Sequence, residues 1–435
     1  MIALKKIRNK LLREEVVSTT LSCGLKAYLI PKRDMNRKIA LITTKYGSID
    51  IGFRIGSEKN VSTTPPGIAH FLEHQLFKKQ EGDALAAFGK YGASSNAFTD
   101  YCNTTYFFTS TGNFGESLKI LLEFVFKPYF NEQNIEKEKF IIEQELKMYD
   151  DMPDYRMYKN LMSILYKEHP VRIDIGGTVE SVKAVKKDML VSCYNKFYNP
   201  ANMTLVFSGD LEPYEIFTLS DKLIPKNEQK EYKIDHIIPN EPSGIIKKSV
   251  TQNMTVSMPR ILIGFKDPSN TDGTEDTLIK EIATGMVLEL LFGRGTKFYN
   301  NVYESGLIDD TFSYSHNSEY TFAFSVIGGE TSKPDKLIEE VLFTINKAKR
   351  NGFKRQDVEV GKRKRLGKFL KVFDSPDSAA FSFAECNRKD TDIFNIPTAL
   401  KKINRDILIN RLETHFSEDN CASSVIMPLD HHSGQ

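Results

Sequence analysis

The residues with the clearest chemical potential are His70, Glu73 and His74, which form an H-x-x-E-H pattern. Residues 68–78 carry apolar side chains at helical spacing, so we predict a helix there. At 3.6 residues per turn the two histidines lie about one turn apart on one face, where their imidazole nitrogens can bind one zinc ion. Glu73 shares that face and can reach a water at the open coordination position. The pattern predicts a zinc centre in which Glu73 takes the proton from that water.

A catalytic zinc needs a third ligand from the protein. With no Cys or His near the pattern in sequence, the candidates are carboxylates of the charged helix predicted over residues 132–149. On a regular helix Glu138 and Glu145 share a face, whereas Glu143 is rotated by about 160° from Glu145. The residues alone leave Glu143 and Glu145 both open as the third ligand.

Composition limits the class of protein that holds this centre. The 435 residues are 40% hydrophobic and 27% charged, and no apolar run approaches 18 residues, which predicts a soluble globular chain without a membrane span. A net charge of +2 offers no broad field for nucleic acid. The five cysteines are scattered and form no C-x-x-C pair, which argues against a disulfide framework and a thiolate zinc site. The N-terminus does not resemble a secretory signal, so we expect a cytoplasmic protein.

The elements that must position these residues occur in two similar series. The first series has predicted strands over residues 26–31, 39–53 and 202–208, helices over 68–78, 82–91, 117–126 and 132–149, and a hairpin over 92–110. Residues 225–244 change to Lys, Glu, Asn and Pro, which is typical of a linker. The second series has a strand over 260–265, a helix over 277–291 and an alternating run over 306–326. We therefore predict domains at residues 1–224 and 245–435, joined by a linker at 225–244.

An internal repeat supports this division. Five residues recur at a constant offset of 214 positions: Gly92, Phe98, Asn103, Tyr106 and Phe108 as Gly306, Phe312, Asn317, Tyr320 and Phe322. A weaker echo relates residues 149–154 to residues 373–377 at a different offset. The predicted fold is α+β, with two homologous domains in tandem, each an antiparallel-rich sheet covered by helices. The offset of 214 places apolar residues opposite the metal residues, so the second copy of the helix is predicted to serve packing alone.

The string Gly-Ile-Ala-His-Phe-Leu-Glu-His-Gln-Leu-Phe at residues 67–77 resembles the pitrilysin/insulinase family of zinc peptidases, and its H-x-x-E-H order is that of the inverzincins. The similarity continues at residues 92–99, 138–145 and 198–203, and covers about residues 20–210 with a looser match beyond. Bacterial two-domain members similar to processing peptidases are the nearest in organisation. The resemblance implies that the two domains enclose a peptide cleft.

The resemblance also implies roles for individual residues. His70, His74 and Glu145 would bind zinc, Glu73 would be the general base, and Glu138 would orient a ligand, so we count Glu138 with Glu73 among the catalytic group. His74 and Glu145 are 71 positions apart, a few fewer than is usual in the family. Because the shortfall lies in a loop between residues 77 and 92, Glu145 is kept and Glu143 is the fallback ligand.

The family's substrate strand implies that an extended peptide adds to the sheet edge at Asn96, Ala97 and Phe98. Many members also carry an Arg and a Tyr in the C-terminal half that hold the substrate and the oxyanion. Here Tyr303 stands near the Arg position, and Asp309 or Asp310 near the Tyr position, while Arg294 lies too far upstream to be a confident substitute. A missing oxyanion donor costs about 3 kcal/mol in comparable enzymes.

These residues predict a zinc-dependent metalloendopeptidase that hydrolyses short or unfolded peptides, with leader or bacteriocin peptide processing as a specialised variant. The chain is expected to form a homodimer, or a heterodimer with a related subunit that carries the Arg and Tyr pair. The alternatives are a non-catalytic structural or peptide-binding subunit, and the zinc-bearing half of a heterodimeric peptidase. We expect Zn²⁺ as the cofactor and a peptide as the partner, with no nucleic acid.

Overall fold

A computed structural model describes residues 3–10, 12–56, 59–79, 82–226, 233–268 and 275–429. The chain divides into two compact units. Unit 1 comprises Met1–Leu146, Asp174–Ile238 and Phe369–Arg388, and unit 2 comprises Lys147–Ile173, Pro239–Lys368 and Lys389–Gln435. No helix within the described ranges has the length and apolar character needed to cross a bilayer.

The strands of the described residues are β1 (Lys5–Asn9), β2 (Glu14–Thr20), β3 (Lys26–Pro31), β4 (Lys38–Thr44), β5 (Gly52–Ile55), β6 (Ser62–Thr63), β7 (Lys78–Lys79), β8 (Gly82–Asp83), β9 (Ser94–Thr99), β10 (Thr104–Ser110), β11 (Met203–Gly209), β12 (Ile234–His236), β13 (Ser249–Met254), β14 (Arg260–Asp267), β15 (Ser313–Ser318), β16 (Ala323–Glu330) and β17 (Cys421–Pro428). The α-helices are α1 (Ile68–Phe77), α2 (Ala84–Gly89), α3 (Phe114–Phe126), α4 (Glu132–Asp150), α5 (Pro153–Leu165), α6 (Val179–Ala184), α7 (Lys187–Phe197), α8 (Pro213–Leu223), α9 (Glu275–Phe292), α10 (Lys297–Glu304), α11 (Pro334–Asn351), α12 (Arg355–Lys371), α13 (Pro376–Arg388), α14 (Ile396–Lys402) and α15 (Arg405–His415).

Unit 1 is built on a seven-stranded sheet in the order β1-β2-β3-β11-β4-β10-β9. Its pairs are antiparallel except β3 with β11, which run parallel. The central strands β4 and β11 are almost wholly buried, which explains their continuous runs of apolar and β-branched residues. Strand β9 lies at the sheet edge and alternates exposed with partly buried residues. One of its faces is therefore covered while the other is open.

Unit 2 repeats this topology with a five-stranded sheet in the order β13-β17-β14-β16-β15. Here β13 and β17 are the parallel pair, and β15 is the edge strand with the same alternation of exposure as β9. The core of each unit packs between its sheet and its helices. The predicted α+β fold with two duplicated domains is confirmed.

The hairpin repeat has a different register from the one predicted. Thr99 pairs with Thr104 in unit 1 and Ser318 with Ala323 in unit 2, so the hairpins correspond at an offset of 219. The glycines before them do correspond at 214, and Gly92 and Gly306 share a φ of 69°. Strand β9 begins two residues after Gly92, and β15 begins seven residues after Gly306. Five residues are thus inserted in unit 2, and Phe312 is not the counterpart of Phe98.

The compact units differ from the predicted domains because each half of the chain gives one helix to the other unit. Helix α5 belongs to unit 2, where it packs on β14 and β17, and α13 belongs to unit 1, where it packs on β4 and β11. Both helices begin with a proline, which fixes the start of a new helix after a break.

The segment predicted as a linker, residues 225–244, contains a short strand and ordered side-chain contacts. Residues 227–232 of this linker lie outside the described residues. Strand β12 follows them and pairs with β5 in unit 1. Glu241 accepts hydrogen bonds from the backbone N–H groups of Lys167, Glu168 and His169 in unit 2. The predicted linker therefore adds a strand to unit 1 and a hydrogen-bonding side chain to unit 2.

Candidate metal centre

Helix α1 positions the H-x-x-E-H residues in unit 1. It follows Gly67, whose φ of 87° and close approach to the Gly176 carbonyl leave no room for a Cβ. The apolar side chains of α1 pack into the core of unit 1, which anchors the helix. The rings of His70 and His74 lie side by side with centroids 4.5 Å apart. The sequence therefore places both imidazoles on one face of a well-anchored helix.

Helix α4 brings the carboxylates to these imidazoles. Glu145 Oε2 lies 3.4 Å from His74 Nε2 and 3.9 Å from His70 Nε2. One ligand atom from each of the three residues falls within 4.8 Å of the others. Glu143 points to Lys183 instead, with 3.4 Å between Oε2 and Nζ. Of the two candidates for the third ligand, the structure brings Glu145 to the histidines.

The three donors fit a tetrahedral zinc ion. Zinc bonds of about 2.0–2.1 Å place neighbouring ligand atoms about 3.3 Å apart, close to the separations seen here. Glu145 Oε2 is buried, and within the described part of the chain it has no hydrogen-bond partner, a costly state unless a cation satisfies it. Burial and the neighbouring His74 lower the pKa of His70 to about 3, so this imidazole is neutral and can donate a lone pair to a metal.

Glu138 fixes the tautomer of His74. Its Oε1 lies 2.8 Å from His74 Nδ1, and the carboxylate is 2% exposed. A carboxylate at this place keeps the proton on Nδ1, which leaves Nε2 free to bind a metal. Burial opposes ionisation of Glu138, but the His74 hydrogen bond and the charge of Lys78 lower its pKa overall. Glu138 therefore contacts the His74 ring on the side away from Nε2, and it is not part of the group formed by His70, His74 and Glu145.

Glu73 is held by a residue that the sequence did not single out. Thr99 Oγ1, at the end of β9, donates a 2.6 Å hydrogen bond to Glu73 Oε2. Burial raises the pKa of Glu73, and the Thr99 hydrogen bond acts against that rise. The Thr99 hydrogen bond thus engages one of the two carboxylate oxygens of Glu73. The only signal in the sequence was the place of Thr99 directly after the Asn-Ala-Phe run.

The predicted substrate residues lie on the edge strand β9. Asn96 and Phe98 are exposed, Phe98 by 39%, and Ala97 is partly buried. The Asn96 side chain accepts a 2.8 Å hydrogen bond from the Ala97 N–H. Since β9 pairs only with β10 among the described strands, its outer edge is open to a further strand.

In unit 2, other side chains occupy the positions where the Arg and Tyr of the family are expected. Tyr303 is 43% exposed and stacks on Tyr299 of the same helix, α10. Asp310 forms an exposed 3.7 Å ion pair with Arg294. The fold thus brings Arg294 next to one of these positions despite its distance along the chain.

A duplicated α+β fold in which an H-x-x-E-H helix faces a glutamate helix is the arrangement expected for the family that the sequence resembles. Two family models match the chain, the insulinase (peptidase family M16) model at residues 42–179 and the peptidase M16 inactive domain model at residues 184–365. The chain belongs to peptidase family M16, which includes the insulinases.

Similar proteins span the whole chain. The "Uncharacterized zinc protease YmfH" of Bacillus subtilis is 38% identical over 98% of this chain and 99% of its own length. A second protein of that organism, "Uncharacterized zinc protease YmxG", is 25% identical over 76% of this chain and 80% of its own length. The crystal structure of an M16-like peptidase from Alicyclobacillus acidocaldarius matches with a TM-score of 0.91 and 32% identity, over 98% of this chain and 99% of that one. Both relatives are named zinc proteases.

Proposed function

We propose that the protein is a zinc-dependent metalloendopeptidase that hydrolyses short or unfolded peptides. The observation that carries this proposal is the convergence of His70, His74 and Glu145 within 4.8 Å, beside the buried carboxylate of Glu73. A zinc ion held there supplies Lewis-acid chemistry, which polarises a carbonyl and acidifies a water. Peptide hydrolysis needs both effects together with a base.

The protein's own groups handle the protons. Glu73 Oε1 takes the proton of the attacking water and delivers it to the leaving amine, while Thr99 holds Oε2 in place. Glu138 keeps the His74 proton on Nδ1 throughout the reaction. The raised pKa of Glu73, caused by burial, brings this base closer to neutral pH and so suits both proton transfers.

The substrate binds along the open edge of β9 at Asn96, Ala97 and Phe98. Main-chain hydrogen bonds to a sheet edge require an extended peptide, and a folded protein has no free strand to offer. A peptide with N-methyl groups on alternate residues should therefore bind at least tenfold more weakly than its parent. If the methylated peptide is cleaved as well as the parent, binding by strand addition is wrong.

Substitution of the base provides the decisive test. Glu73→Gln should retain one zinc per chain by elemental analysis and lose peptide cleavage by about 10²–10⁴-fold, the usual contribution of such a base. Glu143→Gln is the matched control, because Glu143 is a glutamate of α4, the helix that carries Glu145, but pairs with Lys183 instead of facing the histidines. Undiminished cleavage by Glu73→Gln, or a purified chain that neither contains nor takes up zinc, would favour a non-catalytic binding subunit.

A second candidate function is the zinc-bearing half of a heterodimeric peptidase. It is favoured by Tyr303, which stands near the expected Arg of the family, and by Asp309 or Asp310, which stands near the expected Tyr. A partner subunit with that pair would then complete the oxyanion contacts. This arrangement predicts weak cleavage by the purified chain and a gain of about two orders of magnitude when the partner is added, the value of one oxyanion donor. Full activity of the chain alone would exclude it.

A further inference from the structure

Helices α9 and α12 and the edge strand β15 enclose a polar cavity within unit 2. Its volume is about 250 Å³, and its lining includes Glu281, Glu289, Tyr314, His316, Arg365 and Lys368. A neighbouring cavity of about 300 Å³ shares Glu289, Tyr314 and Lys368 and adds Arg294 and Lys364. Unit 2 therefore contains a recess large enough for a small molecule, made largely by charged side chains.

This cavity is the topological counterpart of the metal centre. In unit 1 the metal centre lies between helix α1, the edge strand β9 and helix α4. The corresponding elements of unit 2 are α9, β15 and α12. Glu145 in α4 and Lys368 in α12 each stand eight residues before the proline that opens the next helix, Pro153 or Pro376. At this equivalent position unit 2 has the ammonium group of Lys368, whereas unit 1 has the carboxylate of Glu145.

Much of the charge in the cavity is already compensated. Glu289 accepts hydrogen bonds from Lys364, Lys368 and Tyr314. Burial opposes its ionisation, but these three donors lower the pKa of Glu289 to about 2, so it is an anion at neutral pH. Glu281 lies 3.4 Å from Lys389. Both carboxylates of the cavity therefore have cationic partners.

Arg365 is the exception. Its guanidinium lies against the backbone of α9 at Gly285, where an added Cβ would overlap Nη2. Within the described part of the chain no hydrogen bond or ion pair closer than 4 Å is seen for this guanidinium; burial lowers its pKa, and the charges of Glu289 and Glu281 act against that fall. A guanidinium has five N–H donors in a planar fork that matches carboxylate or phosphate oxygens, so Arg365 can bind an oxyanion that enters the cavity.

We propose that this cavity binds a small ligand through an oxyanion group, a carboxylate or a phosphate, with Arg365 as the principal binding residue and Lys368 beside it. Gly285 provides the space in which the guanidinium lies. The lining of this cavity comes from unit 2, and the binding that we propose does not need zinc. The recess between α9, β15 and α12 would thus bind an anion, whereas the equivalent position in unit 1 would bind a cation.

Calorimetric titration of the full chain at low ionic strength and in the presence of a chelator tests this proposal. The probes are inorganic phosphate, succinate, and one acetylated peptide in its free-acid and C-terminal amide forms, with chloride as the reference anion. We expect saturable binding of at least one oxyanion probe, and the phosphate, succinate and free-acid arms show which source the site prefers. No saturable binding of any probe would overturn the proposal.

Variants assign the binding to this cavity. Arg365→Gln should weaken binding by at least tenfold, and Gly285→Ala should do the same by displacing the guanidinium. Arg363→Gln is the matched control, since Arg363 is an exposed arginine of the same helix outside the cavity, and it should bind like the wild type. Lys368→Gln extends the test if Arg365→Gln does not fold, as judged by circular dichroism. Wild-type affinity in the folded variants would contradict the proposal, whatever the outcome of the Glu73→Gln cleavage test.

Discussion

We expect Glu138 to contribute to metal affinity through His74 and not by direct ligation. Its buried carboxylate keeps the His74 proton on Nδ1. Glu138→Ala should therefore weaken zinc binding by about 10–100-fold, as is typical when the hydrogen-bond partner of a ligating histidine is removed. Competition with a chromophoric chelator measures the change. Glu143→Ala should leave the zinc affinity unaltered. If Glu143→Ala weakens zinc binding and Glu138→Ala does not, the role assigned to Glu138 is wrong.

Thr99 is a positioning residue for the base. Its hydroxyl donates the 2.6 Å hydrogen bond that fixes Glu73 Oε2. Thr99→Val retains the shape of the side chain and removes this donor. Hydrogen bonds to charged groups contribute about 1.5–3 kcal/mol, so kcat should fall by about 10–150-fold with little change in KM. Thr99→Ser restores the donor and should recover most of the rate. A Ser variant as slow as the Val variant would point to packing rather than hydrogen bonding.

Site residues on one helix could be predicted from the sequence, whereas contacts between residues on different elements could not. The pairing of His70 with His74 follows from helical spacing, because both lie on one element with a fixed period. The choice between Glu143 and Glu145 depends on how α4 is rotated against α1, which only the packing of unit 1 decides. Thr99 reaches Glu73 across a strand and a helix, and no spacing along the chain encodes that contact.

At the scale of elements, the hairpins show where pattern matching fails. The alternating runs predict both hairpins, and β9–β10 and β15–β16 are present. The register of the repeat is wrong because aromatic residues recur in strands for general packing reasons, so Phe312 matched Phe98 without occupying its place. The glycines were a better guide, since Gly92 and Gly306 are held to the same positive φ.

The short pair β5–β12 in unit 1 depends on a titratable contact. His236 Nδ1 lies 2.6 Å from the buried carboxylate of Asp50. Burial alone would lower the pKa of His236, but Asp50 raises it overall. A raised pKa in the folded state means that the contact stabilises the fold below the unfolded value of about 6.5 and that this contribution is lost as the pH rises through the folded value.

The urea midpoint of the wild type should therefore fall between pH 6 and pH 9. His236→Gln should show a smaller fall, because it lacks the group that titrates. His169→Gln is an unsuitable control, since that imidazole is buried in unit 2 with a pKa lowered to about 4, so the comparison is made with the exposed Lys233→Gln. Parallel pH profiles for the wild type and His236→Gln would show that the contact carries no linkage.

At the scale of the whole molecule, each compact unit is made of three separate stretches of the chain. The linker composition predicted one boundary near residues 225–244, and the units do change at Ile238 and Pro239. The exchange of α5 and α13 could not be predicted from the sequence. The prolines at 153 and 376 mark where two helices begin, but which sheet each helix covers is decided by the path of the chain.

The exchanged helices predict that the two halves of the chain cannot fold separately. A fragment of residues 1–238 lacks α13, whose Ala379, Ala380 and Phe383 are buried in unit 1, and it exposes the apolar face of α5. That face buries five apolar side chains in unit 2, each contributing about 1.5–3 kcal/mol, which together rival the 5–15 kcal/mol that stabilises a typical domain. The fragment of residues 239–435 has the reciprocal defect, because it lacks α5 and exposes α13.

Each fragment expressed alone should therefore aggregate or give an unfolded spectrum, and the two expressed together should be recovered as an equimolar folded complex by size-exclusion chromatography and circular dichroism. The matched control is the intact chain with a protease site inserted between Ile238 and Pro239, cleaved after folding. It has the same break in the backbone but retains every helix on its sheet, so it should keep its structure and its zinc. Two fragments that each fold alone with a cooperative transition would show that α5 and α13 are dispensable to the units they cover, and that the chain behaves as two independent domains after all.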